Sequence, residues 1–105
     1  MAADDEATPQ ETYAALQTNG VALFDVREPW ENEQERIPGA VLIPLGELAD
    51  RVGEIPADRD VYVHCRGGGR SGRAVAFLRE NGRPRARNVT GGIEAWKEAG
   101  LPVNQ

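Results

Sequence analysis

The chain has 105 residues, 40% hydrophobic and 28% charged, with a formal net charge of −5. That length supports one domain around a single modest core and is too short for two. The one cysteine excludes an internal disulfide and a cysteine-based metal site, and it fits a reducing compartment. The start, with Asp4, Asp5 and Glu6, has neither the cationic residues nor the apolar run of a secretory signal, and no stretch approaches transmembrane length. The expectation is one cytoplasmic domain over residues 1–105, monomeric by default, with residues 1–7 a disordered acidic N-terminus.

Thr8-Pro9-Gln10-Glu11 has the form of a capping box with proline at the first helical position. Tyr13 and Leu16 give the following helix an apolar face, and Asn19-Gly20 stops it. Residues 21–26 are nearly continuously apolar, as a buried strand of a parallel sheet is. They end in the charged turn Asp25-Val26-Arg27-Glu28-Pro29. Residues 30–36 are polar and read as irregular or a short helix. Ile37-Pro38-Gly39-Ala40 then leads into a second short strand, Val41-Leu42-Ile43. Residues 45–52 read as a short helix closed by Gly53. Residues 61–64 form a third strand, and residues 71–81 a helix capped by Gly82. Asn88-Val89 is a very short last strand. Gly91-Gly92 turns the chain into a final helix over residues 93–99, with Trp96 facing inward and Gly100 ending it. Strands alternating with helices imply an α/β sandwich around a mainly parallel sheet. Ligands in such sheets sit beyond the carboxyl ends of the strands, where both Asp25-Val26-Arg27 and the residues after His64 fall.

Those later residues, Cys65-Arg66-Gly67-Gly68-Gly69-Arg70-Ser71, carry the chemistry. The loop joins a strand end to a helix N-terminus, where free N–H groups and the helix dipole favour an anion. Glycines let the backbone curl with its amides inward into a nest. A thiol in such a nest ionises more easily than a free one, and the thiolate is the reactive form. A lone cysteine is more often a small buried hydrophobe, and a glycine run only a turn. Here the cysteine stands where the strand gives way to the glycines, with arginines on both sides, so the functional reading is favoured. Charge agrees. Residues 1–60 hold 14 acidic and 4 basic side chains, whereas residues 61–105 hold 3 acidic and 8 basic ones. The basic excess begins at this loop, with Arg66, Arg70, Arg73, Arg79, Arg83, Arg85 and Arg87. Nucleic acid is disfavoured as the partner, because the whole chain is acidic and this region lacks aromatic residues for stacking. A small anionic substrate is the simpler account.

Four stretches in order resemble the rhodanese-like sulfurtransferase domain in its single-domain form, over residues 23–103. They are Asp25-Val26-Arg27-Glu28, Ile37-Pro38-Gly39-Ala40 with Ile43-Pro44, the Cys65–Ser71 loop, and Gly91-Gly92-Ile93-Glu94-Ala95-Trp96. The resemblance implies a three-layer sandwich with a five-stranded, mainly parallel sheet flanked by helices. It implies that a Cys65 thiolate attacks the sulfane sulfur of thiosulfate or a persulfide, and that the resulting Cys65 persulfide passes sulfur to a thiol, a protein thiol or cyanide. Amides of Arg66, Gly67, Gly68, Gly69 and Arg70 would hold the terminal sulfur. Arg70 and Arg66 would attract the anionic donor, and Ser71 would begin the helix and bond to the cysteine sulfur. Asp25 and Arg27 would brace the loop. No cofactor, metal, membrane or nucleic acid is implied. The sequence departs from the family pattern at Glu35-Arg36, where Gly-His is usual, and near Asn32, where an aromatic is missing and Trp30 is placed to fill its space. Both departures border the pocket mouth.

The rivals fit less well. The nearest rival is a cysteine phosphatase or arsenate reductase, but protein tyrosine phosphatases use Cys-x5-Arg-Ser/Thr, whereas here the spacing is Cys-x4-Arg, a tighter nest suited to a single sulfur. His64 adjoins Cys65 and along a strand faces the other side, so a Cys-His hydrolase is disfavoured and a structural histidine expected. No Gly-Lys-Ser/Thr follows the glycines, which excludes a nucleotide P-loop. A non-catalytic regulatory module of the same family would usually lack the cysteine, and this chain keeps it.

Overall fold

The computed structural model describes residues 4–18 and 20–105. Its elements are β1 (Glu6–Ala7), α1 (Pro9–Leu16), β2 (Ala22–Asp25), α2 (Pro29–Gln34) and β3 (Val41–Leu42), then two short 3₁₀ segments (Leu45–Glu47 and Ala49–Glu54). These are followed by β4 (Val61–His64), α3 (Gly69–Glu80), β5 (Ala86–Val89) and α4 (Gly92–Glu98). The sheet order is β1-β5-β4-β2-β3, and every strand pairing in it is parallel. An isolated antiparallel bridge ties Arg36 to Asn104.

Strand periodicity divides the interior into two cores. Val61, Val63, Phe24 and then Cys65 face one side, where Ala74, Val75 and Leu78 of α3 cover them. Leu23, Tyr62 and Val89 face the other, under Ile93 and Trp96 of α4. Buried on both faces, β2 and β4 read as largely apolar runs rather than alternating ones. β4 is the middle strand. Its successor β5 lies on one flank, whereas β2 lies on the other and leads outward to β3. The chain thus leaves β2 and β4 in opposite directions, which makes the ends of these two strands the switch point beyond which such sheets bind ligands.

Several boundaries differ from the sequence reading. The capping box holds: Glu11 N donates to Thr8 Oγ1 at 3.0 Å and Thr8 N to Glu11 Oε1 at 2.8 Å. The buried residues of α1, however, are Pro9 and Thr12. Tyr13 stays 36% exposed, because it sits at the rim with its ring edge-on to Trp96 at 5.9 Å. Asn19, read as part of the helix stop, lies outside the described residues. Residues 30–36 hold the helix α2, aided by Pro29 at its start. The helix expected over residues 45–52 is two 3₁₀ pieces broken by a non-helical Arg51, with Gly53 inside the second rather than closing it. Gly46 and Gly53 weaken a continuous α-helix there. α3 begins at Gly69, two residues before Ser71, so Arg70 belongs to its first turn. β5 starts at Ala86, its pattern masked by Arg87, which turns to Asp60 at 2.9 Å. The acidic N-terminus, expected to be disordered over residues 1–7, is ordered in its described part. Glu6–Ala7 pairs with Asn88–Val89, with Asn88 N donating to Asp5 O at 2.7 Å. Met1 to Ala3 lie outside the described residues.

Trp96 is 1% exposed and its Nε1 donates to Pro102 O at 2.8 Å, which pins the C-terminal segment over the second core. Trp96→Ala is expected to lower unfolding free energy by about 3–5 kcal/mol in urea titration.

Candidate active site

Cys65 directly follows the middle strand and is 1% exposed as a whole residue. Gly68 N donates to its Sγ at 3.1 Å, and Ser71 Oγ stands 3.3 Å away. Burial pushes the Cys65 thiol up. The Ser71 hydroxyl and the N–H groups of Ser71, Gly68 and Gly67 act against it, leaving the pKa below the ordinary thiol value of 9.0. Ser71 has one hydroxyl proton for two acceptors, since Asn88 Oδ1 also lies within hydrogen-bond reach. The backbone donors therefore carry much of the stabilisation of a thiolate.

The loop can aim its amides inward because its carbonyls are satisfied outward. Ile93 N donates to Cys65 O at 2.9 Å and Glu94 N to Arg66 O at 3.1 Å. Asn88 Nδ2 donates to Gly68 O at 3.1 Å. Gly68 itself has φ +104°, a region that glycine adopts without strain. Gly92 lies so close under the loop that a Cβ there would collide with the carbonyl oxygens of Cys65 and Arg66.

Asp25 ends β2, Arg27 stands two residues beyond it, and neither bonds to the cysteine loop directly. Asp25 is fully buried and accepts from Arg27 Nε at 3.0 Å, from Arg27 Nη2 at 2.8 Å and from Arg27 N at 2.9 Å. Burial pushes the Asp25 carboxyl up, but the Arg27 hydrogen bonds, the neighbouring His64 and the Asn32 amide together act against it and hold the carboxyl below its usual range. Arg27 Nη2 also donates to Glu35 O at 2.8 Å, at the C-terminal end of α2. From α2, Glu31 reaches across to Arg70 with two contacts of 2.7 and 3.0 Å. The link from Asp25 to the loop therefore runs through Arg27, α2, Glu31 and Arg70.

Arg66 is exposed and donates to Glu94 Oε2 at 3.0 Å. Gly69 opens α3, and a Cβ on it would meet open space. His64 belongs to the strand phase opposite Cys65 and is fully buried, its Nδ1 3.1 Å from Cys65 O. The carbonyl can only accept, so Nδ1 carries the proton. Nε2 is then a bare acceptor 3.9 Å from Asp25 Oδ2, and no hydrogen-bond partner for it stands among the described residues. Burial pushes the His64 pKa below its ordinary 6.5.

A cavity of about 230 Å³ opens between α2 and α4, lined by residues that include Trp30, Glu31, Glu35, Arg66, Glu94 and Lys97. Cys65 is not in its wall; Arg66 is what joins cavity to loop. Trp30 does not fill the place of the missing aromatic, because it projects at the rim and is 60% exposed. Asn32 turns inward instead and donates to Asp25 Oδ2 at 3.1 Å. No cluster of three or more potential metal ligands occurs among the described residues, and none of their helices is long and apolar enough to cross a membrane.

Glu31 and Asn88 were missed as site residues. Glu31 had one local signal, its place two residues after a helix-opening proline. Asn88 had another, as a polar side chain inside an apolar strand.

Comparison with known proteins agrees with this geometry. The family model described as the rhodanese-like domain matches residues 8–99. A sulfurtransferase of Allochromatium vinosum is 45% identical over 86 residues, covering 82% of this chain and 80% of that one. An HTH-type transcriptional regulator of Mycobacterium tuberculosis is 38% identical over 104 residues, 97% of this chain but only 46% of the regulator. The crystal structure of a rhodanese-related protein from Thermoplasma volcanium superposes with a TM-score of 0.86 at 32% identity, covering 94% of this chain and 96% of that one.

Two substitutions probe the nest. The alkylation rate of Cys65, followed against pH, should rise at lower pH than for a free cysteine, and Ser71→Ala should move the midpoint upward by removing a donor to the thiolate. Gly92→Ala adds a left-handed, clashing side chain and should cost more than about 2 kcal/mol in thermal or urea unfolding.

Proposed function

The chain belongs to the rhodanese-like domain family, and we propose that it is a sulfurtransferase working through a persulfide on Cys65. The observation that carries this reading is the Cys65 sulfur seated among inward-turned donors, with Gly68 N at 3.1 Å. The Cys65 thiolate attacks the outer sulfur of thiosulfate or of a persulfide. An S–S bond forms to Sγ as the donor's own bond to that sulfur breaks, and sulfite or a thiolate leaves. The terminal sulfur then carries the negative charge, and the N–H groups of the Arg66–Arg70 segment face it. An acceptor thiolate, on a small molecule or a protein, or cyanide, takes that sulfur and regenerates Cys65. Asp25 and Arg27 act at a distance, by seating α2.

The single free cysteine fits a reducing compartment, and the proposed setting is the cytoplasm. A binding role without turnover is the second reading, prompted by the matching domain of the longer Mycobacterium tuberculosis regulator. The donor set around Sγ favours chemistry over binding alone.

The test is intact mass after incubating the reduced protein with thiosulfate or with cysteine persulfide. Gain of one sulfur atom by the wild type, none by Cys65→Ser, and its loss on adding cyanide are expected. Absence of any gain with both donors would sink the transferase reading and leave the binding role.

A further inference from the structure

The loop arginines are the natural attractors for an anionic donor, yet each is already matched by a carboxylate. Arg70 directs both terminal nitrogens at Glu31, at 2.7 and 3.0 Å, and the Glu31 side chain is only 9% exposed. Arg66 directs Nε at Glu94 Oε2 at 3.0 Å. The other two cations on the cavity wall are likewise held, Arg27 by Asp25 and Lys97 by Glu35. Neither loop pair is a local accident of helix spacing. Glu31 precedes Arg70 by 39 residues and Glu94 follows Arg66 by 28, so the two carboxylates reach the mouth from α2 on one side and α4 on the other. A cleft built to gather dianions would leave like cations unmatched and focus their field. Here the field is cancelled at contact distance.

We propose that Glu31 and Glu94 are specificity-determining residues that keep the mouth of the cysteine loop electrically neutral, so that it selects sulfane donors of low net charge, amino-acid persulfides, over dianionic thiosulfate. The inference rests on the sulfur-transfer reading above and names its donor class. A dianion approaching the Cys65 thiolate finds Arg66 and Arg70 of the loop, and Arg27 and Lys97 of the cavity wall, each already paired with a carboxylate, so these cations offset little of the repulsion. An amino-acid persulfide presents its ammonium to the carboxylates and its carboxylate to the guanidiniums, and loses little in a balanced mouth. With either donor, one S–S bond forms at Sγ and one breaks in the donor. The departing group, a thiolate or sulfite, keeps the electron pair of the broken bond.

Glu94→Gln and Glu31→Gln remove one negative charge each at nearly constant shape. Glu80→Gln changes net charge equally, but at the exposed far end of α3, roughly 16 Å along the helix from Gly69. Rate constants for sulfur loading of Cys65 are measured by intact mass, with thiosulfate and with cysteine persulfide, at low and moderate salt. Both mouth variants should load from thiosulfate about fivefold faster than wild type, with a rate that now falls as salt rises. Their persulfide loading should change by less than about twofold, and Glu80→Gln should leave both donors at wild-type rates. The inference is overturned, with sulfur transfer intact, if the mouth variants leave thiosulfate loading unchanged, raise both donors alike, or are matched by Glu80→Gln. Wild type that loads from neither donor overturns the sulfur-transfer reading itself and this one with it. Should Glu31→Gln fail to fold, Glu94→Gln decides alone, since its pair with Arg66 is solvent-exposed.

Discussion

An amide can point its N–H at a sulfur only if the carbonyls beside it find partners in the opposite direction, since an orphaned buried carbonyl costs as much as the bond gained. The cysteine loop depends on that constraint. Three of its carbonyls, those of Cys65, Arg66 and Gly68, are taken by the backbone of α4 and by Asn88. The glycines of the loop let it curl, but Gly92 beneath it lets α4 come near enough to hold the curl. The reactive thiol is thus a product of two distant glycine runs, one that bends and one that admits the support.

The second support is electrostatic. Asp25 and Arg27 are buried beside β4 at the point where the chain leaves β2 and β4 in opposite directions. A buried ion pair gains little net stability over an apolar pair, but breaking one is expensive. Its value here is geometric: Arg27 ties Asp25 to the end of α2, and α2 carries Glu31 to Arg70. The carboxylate and the cysteine loop belong to neighbouring strand ends without touching, and the helix between them transmits the registration.

Much of this was legible in the sequence, and the reasons differ by residue. The Cys65 loop announced itself because its signals are local: a β run, three glycines and a helical pattern within a dozen residues. The parallel sheet followed from apolar strands between helices, and the N-terminal helix from its capping box. What could not be read lies in contacts between residues far apart. Arg70 looked like a free cation because Glu31 is 39 positions away and only the fold brings them together. Glu94 belongs to the Gly91–Trp96 stretch, and nothing local in that stretch shows its tie to Arg66, 28 positions away. Tyr13 looked buried because its helix phase is right, yet α1 sits at the rim, where the same face opens to solvent. β1 is two residues long at a sheet edge, too short to show any period, and its acidic neighbours suggested a disordered tail.

That small edge strand reaches the cysteine loop through one side chain. Among the described residues β1 pairs with β5 alone, and Glu6 on it accepts from Asn88 Nδ2 at 3.2 Å across 82 residues of sequence. Asn88 is the same side chain that braces Gly68 and lies beside Ser71. A carboxamide held from three directions has one orientation, so the edge strand helps to set how Asn88 meets the loop. Fraying of β1 would therefore loosen a support of the cysteine loop without touching any residue of the loop itself.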